Sequence, residues 1–179
     1  VVPDGPALFL SRMDVTTDTL SATFEGRFDA MAPAAEGRLT VTGADLARLE
    51  PLTRLGLTGK LDVTADGSMT PDITIAATLD ATTSYPALPG TPVATLLGSS
   101  ARITGAVGFS DAYDRVTLDD LGVAGENITI GADGSLQGEA VDMNLRARLP
   151  EIAIVVPELS GALAVDAVAT GSVGAPTLL

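Results

Sequence analysis

The chain repeats itself at long range, and this limits its architecture more than any single motif does. Leu8, Leu10, Met13, Val15, Leu20, Ala22, Phe24 and Gly26 recur 108 positions later as Val116, Leu118, Leu121, Val123, Ile128, Ile130, Ala132 and Gly134. Leu39, Val41, Leu46, Leu49 and Pro51 return 106 positions on as Leu145, Ala147, Ile152, Val155 and Pro157. Leu57 and Gly59 with Leu61, Val63 and Ala65 return 102 positions on as Leu159, Gly161, Leu163, Val165 and Ala167. The drift in spacing places short insertions and deletions at turns. A catalytic constellation is built once, whereas a repeat extends a surface, so the pattern favours a scaffold or a conduit over an enzyme.

The repeat divides the 179 residues into a first unit, 1–107, and a second, incomplete unit, 108–179. Val1 is not an initiator methionine and the second unit stops without a terminating cap, so the sequence reads as a piece of a longer chain.

Within each unit the apolar residues alternate with polar ones, the period of a half-buried strand. Residues 20–24, 61–65, 73–79, 103–109, 128–132 and 141–149 all show it. In the last of these, Val141, Met143, Leu145, Ala147 and Leu149 form one face, and Asp142, Asn144, Arg146 and Arg148 the other. Asp66-Gly67 and Asp133-Gly134 read as hairpin turns. Alternation slips by one at Asp119-Asp120, as a β-bulge or a corner requires. Three segments break the pattern. Residues 44–52 read as a helical turn with Asp45 as its N-cap, residues 92–98 as a short helix, and residues 150–156 as helix or strand. The expected fold is therefore all-β, an elongated, curled repeat sheet of ten to twelve strands with one or two short helices.

A strand with one dry and one wet face belongs to a half-solvated sheet. Stacked in series, such strands give one long apolar surface, which must curl, accept helices or hold an apolar ligand. Its chemistry is aliphatic, since hydrophobic residues are 46% of the chain but aromatics only 3%, with no Trp.

Several functions lack their residues. With 10 basic against 23 acidic side chains, the net charge of −13 disfavours nucleic acid. His and Cys are both absent, which removes the commonest general base and the strongest nucleophile, and with them thiolate metal sites. The two Asp-Gly-Ser triplets lack the calcium-binding nonapeptide pattern, and the Asp119-Asp120 pair reads as a solvated turn. Asn127-Ile128-Thr129 matches a glycosylation acceptor, but Ile128 belongs to a strand. No catalytic, cofactor or metal residues are assigned, and no cofactor is expected.

The apolar stripes remain as the functional candidates. They comprise Leu61, Val63 and Ala65; Ile73, Ile75 and Leu79; Val116 and Leu118; Ile128 and Ile130; Val141, Met143 and Leu145; Leu163 and Val165. Two readings of these residues stand side by side, an ordinary closed core and an open conduit. A scarcity of large side chains, with Ala65, Ala77, Ala132, Ala147 and Ala167 in the stripes, suits a lining for flexible acyl chains.

Residues 57–71 and 159–176, with the Ala-Asp-Leu-Ala-Arg-Leu-Glu-Pro-Leu segment at 44–52, resemble the repeated body of the TamB family. TamB is the inner-membrane-anchored subunit of the bacterial translocation and assembly module, and is similar to the wider AsmA-like group of bridge-like lipid transfer proteins. The resemblance implies a periplasmic β-structure with an open, taco-like apolar groove for phospholipid acyl chains. It implies a parent chain anchored in the inner membrane of a Gram-negative bacterium. It also implies roles in phospholipid transport between the two membranes, outer-membrane protein assembly and protein secretion. The family's outer-membrane barrel partner, TamA, is engaged by other parts of such a chain. No catalytic residues are implied. The rival expectations are a structural β-repeat or adhesin-type stalk with a closed core, and an accessory β-domain of a carbohydrate-active enzyme.

Overall fold

The computed structural model describes residues 7–29, 34–49, 56–72, 74–110 and 114–178. Among them the fold is all-β, one open antiparallel sheet of eleven strands in chain order. These are β1 (Ala7–Thr16), β2 (Ser21–Asp29), β3 (Ala34–Asp45), β4 (Thr58–Met69), β5 (Ile75–Ala87), β6 (Ser100–Ser110), β7 (Arg115–Ala124), β8 (Thr129–Gln137), β9 (Ala140–Leu149), β10 (Leu163–Ser172) and β11 (Ala175–Leu178). Each strand pairs with its neighbours in sequence, as short antiparallel connections allow.

Strict alternation places apolar residues opposite one another from strand to strand. One row runs Val15, Ala22, Val41, Val63, Ala81, Ile103, Val123, Ile130, Ala147 and Val165, each the direct register partner of the next. A second row on the same face carries Met13, Phe24, Leu39, Ala65 and Leu79, and continues through Leu121, Ala132, Leu145 and Ala167. Repeat-related residues fall on the same row: Val15 with Val123, Met13 with Leu121, Val63 with Val165. The register therefore accumulates no stagger along the sheet. A closed barrel needs staggered strands, so this arrangement leaves the sheet open with two edges.

Bulges keep the rows in phase. The register shifts between Leu10 and Met13 in β1 and between Leu118 and Leu121 in β7, positions 108 residues apart. Each extra residue compensates for a three-residue spacing of apolar side chains. Asp120 takes the positive φ, 47°, of the β7 bulge. The slip at Asp119-Asp120 is thus a bulge inside a strand.

The Asp-Gly pairs are not turns. Asp66-Gly67 lies inside β4 and Asp133-Gly134 inside β8. Each strand continues because a further apolar residue still fills a row, Met69 against Ile75 and Leu136 against Val141. The chain turns instead at residues 70–74, where the Thr70 N–H donates to the Thr74 carbonyl at 2.9 Å and the Thr70 hydroxyl to Asp72. The strands are accordingly longer than the alternating segments alone indicate, up to 13 residues in β5.

Among the described residues three short helical segments interrupt the meander: a 3₁₀ turn at Leu46–Leu49, α1 at Val93–Leu97 and a second 3₁₀ turn at Ile152–Ile154. They fall where alternation breaks, one more than the one or two expected. The Asp45 carboxylate caps the first by accepting from the Ala47 N–H at 3.0 Å, and the Glu151 carboxylate caps the third by accepting from the Ala153 N–H at 3.2 Å. The later part of 44–52 lies outside the described residues. The boundary between the repeat units, 107/108, falls inside β6.

Among the described residues no second layer covers the sheet. The accessible surface is 11165 Å², against about 8,000 Å² for a compact monomer of 18.0 kDa. Among the described residues no side chain is completely buried, and the buried apolar ones are mostly alanines.

The two Asp-Gly glycines differ in what they tolerate. A Cβ on Gly134, whose φ is +140°, would stand 2.1 Å from the Asp142 carbonyl oxygen, whereas one on Gly67 would meet nothing closer than 3.4 Å. Gly134→Ala should therefore cost about 1–3 kcal/mol, and Gly67→Ala should stay within about 0.5 kcal/mol of the parent. Urea unfolding followed by circular dichroism distinguishes them, and equal losses would refute the assignment.

Candidate functional site

The candidate lining residues within the described strands lie on a single face of the sheet; Ile128 falls in the β7–β8 turn just ahead of β8, outside the strand expected for it, and Ile73 is outside the described residues. Val63, Ile130 and Val165 share the first row, and Ala65, Leu79 and Leu145 the second. Leu118 and Met143 stand on a third row with Gly26, Gly37, Gly67, Ala77, Val107, Gly134 and Ala169. Ile75, Val116 and Val141 stand on a fourth with Ala35, Met69, Phe109 and Leu136. Leu61, Ile128 and Leu163 lie at the margin nearest the helical segments; Leu61 opposes Ala44 and Thr83, and Leu163 opposes Leu149. From β1 to β10 at about 4.8 Å per strand, over four rows about 6.7 Å apart, the apolar face measures on the order of 900 Å². Exposed apolar patches on monomers are usually a few hundred Å².

The continuity of the rows was visible only in part in the sequence. Val41, Ile103, Val107 and Leu121 complete them and carry the same alternation. What joins them to the named residues is the cross-strand register, which no single strand contains.

The glycines of the third row have a local use. The Phe24 ring occupies the space beside Gly26 and Gly37, where its Cζ would stand 2.7 Å from a Cβ on either. Between Phe24, Leu39, Ala65 and Ala77 the apolar face dips into a hollow of about 220 Å³.

The other face is wet and ion-paired. Arg38 holds Asp66 through two bonds of 2.7 and 3.0 Å, Arg102 holds Asp80 at 2.6 and 3.0 Å, and Arg148 holds Asp166 at 2.8 and 2.9 Å. Hydrogen bonding from these arginines, above all, keeps the Asp66 and Asp80 carboxyls below the usual aspartate range. All of these groups are exposed, so each pair contributes little to stability; their effect is to define the solvent side. A hollow of about 950 Å³ also lies on this side, lined by Glu25, Glu36, Arg38, Asp66, Thr78 and Asp119 among others.

The two margins of the apolar face differ. The three helical segments all follow odd-numbered strands, and therefore stand at the same end of the sheet. Their apolar side chains form a lip over the adjacent margin. Ala44, Leu46, Ala81, Thr83, Ala101 and Leu149 are buried there; among the described residues of the half with the short turns only Ala169 is. The turn between β7 and β8 anchors α1. The Glu126 and Asn127 N–H groups donate to the Leu97 and Leu96 carbonyls at 3.1 and 3.0 Å, and the Asn127 amide donates to the Thr95 carbonyl at 2.8 Å. These bonds satisfy carbonyls that a helix end leaves open, and give Asn127 a structural use. The Glu126 carboxylate accepts from both the Ser99 hydroxyl, 2.6 Å, and the Ser99 N–H, 2.9 Å. Gly125 admits the helix, since a Cβ there would stand 2.6 Å from the Leu97 Cα.

Between α1 and the second 3₁₀ turn the lip encloses a hollow of about 250 Å³, bounded by Leu96, Ile128, Ala147, Leu149, Ile152, Val155, Val156, Leu163 and the stem of Arg148. Only carbon faces it, because the Arg148 guanidinium is turned to Asp166 and the Val165 carbonyl. Among the described residues the lip and the rows together present a continuous carbon surface.

No family model, curated protein or solved structure matches this chain.

Two measurements probe the lip. The Thr83 hydroxyl is buried without a hydrogen-bond partner, which costs about 1–3 kcal/mol. Thr83→Val should therefore raise the thermal midpoint, by roughly 1 kcal/mol in stability, and a lowered midpoint would show that the hydroxyl is used. The Ser99 hydroxyl and N–H hold the Glu126 carboxyl below the usual glutamate range. A depressed folded value stabilises the fold above the ordinary glutamate range, and this contribution disappears as pH falls through the lowered value. In an NMR titration the Glu126 carboxyl and the Ser99 amide should shift together, below the pH at which a peptide glutamate titrates.

Proposed function

We propose that this chain is a segment of a TamB-like periplasmic protein and that its apolar face is a track for phospholipid acyl chains. In this reading the parent chain is anchored in the inner membrane. It supplies lipid to the outer membrane, supports outer-membrane protein assembly and secretion, and engages a barrel partner such as TamA through other regions. The chain itself acts without catalysis, and nucleic acid is not among its partners.

The observation that carries the proposal is the row from Val15 to Val165, unbroken across ten strands and without a covering layer. Burying a methylene contributes about 0.8 kcal/mol, so an acyl chain gains several kcal/mol wherever it lies on such a face. Because the register adds no stagger, the face offers near-equivalent seats from one repeat to the next. A lipid then moves along it without a deep trap, whereas a carrier for one lipid wants a single enclosed pocket. The ion-paired, acidic opposite face keeps the sheet in solution.

Curling of the sheet around its apolar side belongs to this proposal. It would turn the face into a groove while leaving an opening along one margin.

In-cell photocrosslinking in the full-length parent tests the reading. Photoreactive residues at Val63, Ile75 and Met143 should capture lipid, detected by mass spectrometry, while those at Asp62, Thr74 and Asn144 should not. A folded protein in which neither set captures lipid would instead have these stripes as an interface or core, and the structural-stalk reading would replace this one.

A further inference from the structure

We infer that a second copy of this chain covers the apolar face, the two open sheets packing face to face about a two-fold axis that runs along the rows. The inference does not rest on the lipid reading. It needs only the exposed face, and an acyl chain and a second copy exclude one another from it.

The face is larger than water tolerates on a monomer. Among the described residues only the lip stands over it, and Met13, Val15, Leu39, Ile130, Leu145 and Val165 are exposed by between 39% and 49%. Covering about 900 Å² on each partner removes about 1,800 Å² in total, which lies within the range of a specific, stable interface. Two sheets with aligned strands stack about 10 Å apart, their inner side chains interdigitating. The wet face offers no such gain, because its carboxylates and guanidinium groups would lose their water.

The lip selects the axis. The helical segments stand at one end of the strands. A two-fold along the strands would stack one lip on the other and hold the sheets apart. A two-fold along the rows places each lip beyond the turn end of the partner. It also makes the contact isologous, with each strand antiparallel over its own copy.

Side-chain size sets the registration. With the axis between the second and third rows, the second row of one copy meets the third row of the other. Phe24, Leu39 and Leu79 stand on the second, and Gly26, Gly37, Gly67 and Ala77 on the third. Large side chains over small ones fill a layer without voids. Leu39 of one copy then lies over Gly37 of the other, where the 220 Å³ hollow is open beside Phe24, Ala65 and Ala77. The two-fold makes this contact twice, each Leu39 entering the hollow of the other copy.

Sedimentation equilibrium tests the arrangement. At micromolar concentration the purified chain should behave as a species of twice its 18.0 kDa. Leu39→Asp sets a carboxylate in both hollows and should raise the dimer Kd by about a hundredfold or more. Thr40→Asp, on the wet face, should change it by less than about threefold. Circular dichroism checks that both variants fold. A second measurement leaves the face apolar. The chain has no cysteine, so Leu39→Cys supplies one thiol per copy. One row apart across the gap, the two thiols stand about 12 Å from each other. A bis-maleimide of that reach should join them, and should not join Thr40→Cys. If Leu39→Asp does not fold, the cross-link decides alone. A chain that stays monomeric, an open-ended series of larger species, a dimer that Leu39→Asp leaves intact, or one joined through Thr40→Cys and not Leu39→Cys would each overturn the inference.

Discussion

The unstaggered register of the apolar rows is the constraint on which the other features depend. Alternation within a strand only guarantees that the strand has a dry side. It is the pairing of Val41 with Val63, Val63 with Ala81, and so on to Val165, that turns separate dry sides into one surface. Because each pairing is direct, the surface runs straight along the sheet, the sheet stays open, and the second repeat presents its residues on the same rows as the first. The one-residue bulges in β1 and β7 serve this arrangement. Each absorbs a three-residue spacing that would otherwise send the remainder of its strand to the wrong face.

An open sheet of this kind has two sides of different chemistry and two margins of different character. The ion-paired side needs no cover. The apolar side is covered at one margin only, where the connections are long enough to fold back. That cover is a fastened structure: α1 is held by the backbone and side chains of the β7–β8 turn, and the 3₁₀ turns by Asp45 and Glu151. The buried, unpaired Thr83 hydroxyl beside it marks a cost that the lip carries within the fold. A hollow of about 950 Å³ and another of about 420 Å³ lie on the polar side, and the hollows at Phe24 and at the lip lie on the apolar side, so the enclosure that lipid transport calls for is part of the functional proposal, separate from the open sheet itself.

The candidate face was legible because period two leaves a one-dimensional trace. Leu61, Val63 and Ala65, or Val141, Met143 and Leu145, declare a common side from their spacing alone. The ends of the strands were not legible in the same way. Asp66-Gly67 and Asp133-Gly134 have the composition of hairpin turns, yet both lie mid-strand, since Met69 and Leu136 each have an apolar partner to meet two or three residues further on. Tertiary pairing outweighs local turn preference there. The third helical segment and the shared placement of all three at one end depend on counting strands correctly, which the misread turns obscured.

The sequence alone determined the all-β class, the dry and wet sides of the alternating strands, the slip in alternation at Asp119-Asp120, the repeat, and the absence of His and Cys side chains. These are properties of spacing and composition, which act within a few residues of one another. The tertiary structure decided the register between strands, the openness of the sheet, the burial of Thr83, the close approach at Gly134 and the helical lip along one margin. Each of these depends on which residues far apart in the chain come to lie side by side. That is settled by the cooperative fit of all the rows at once, and no local pattern encodes it.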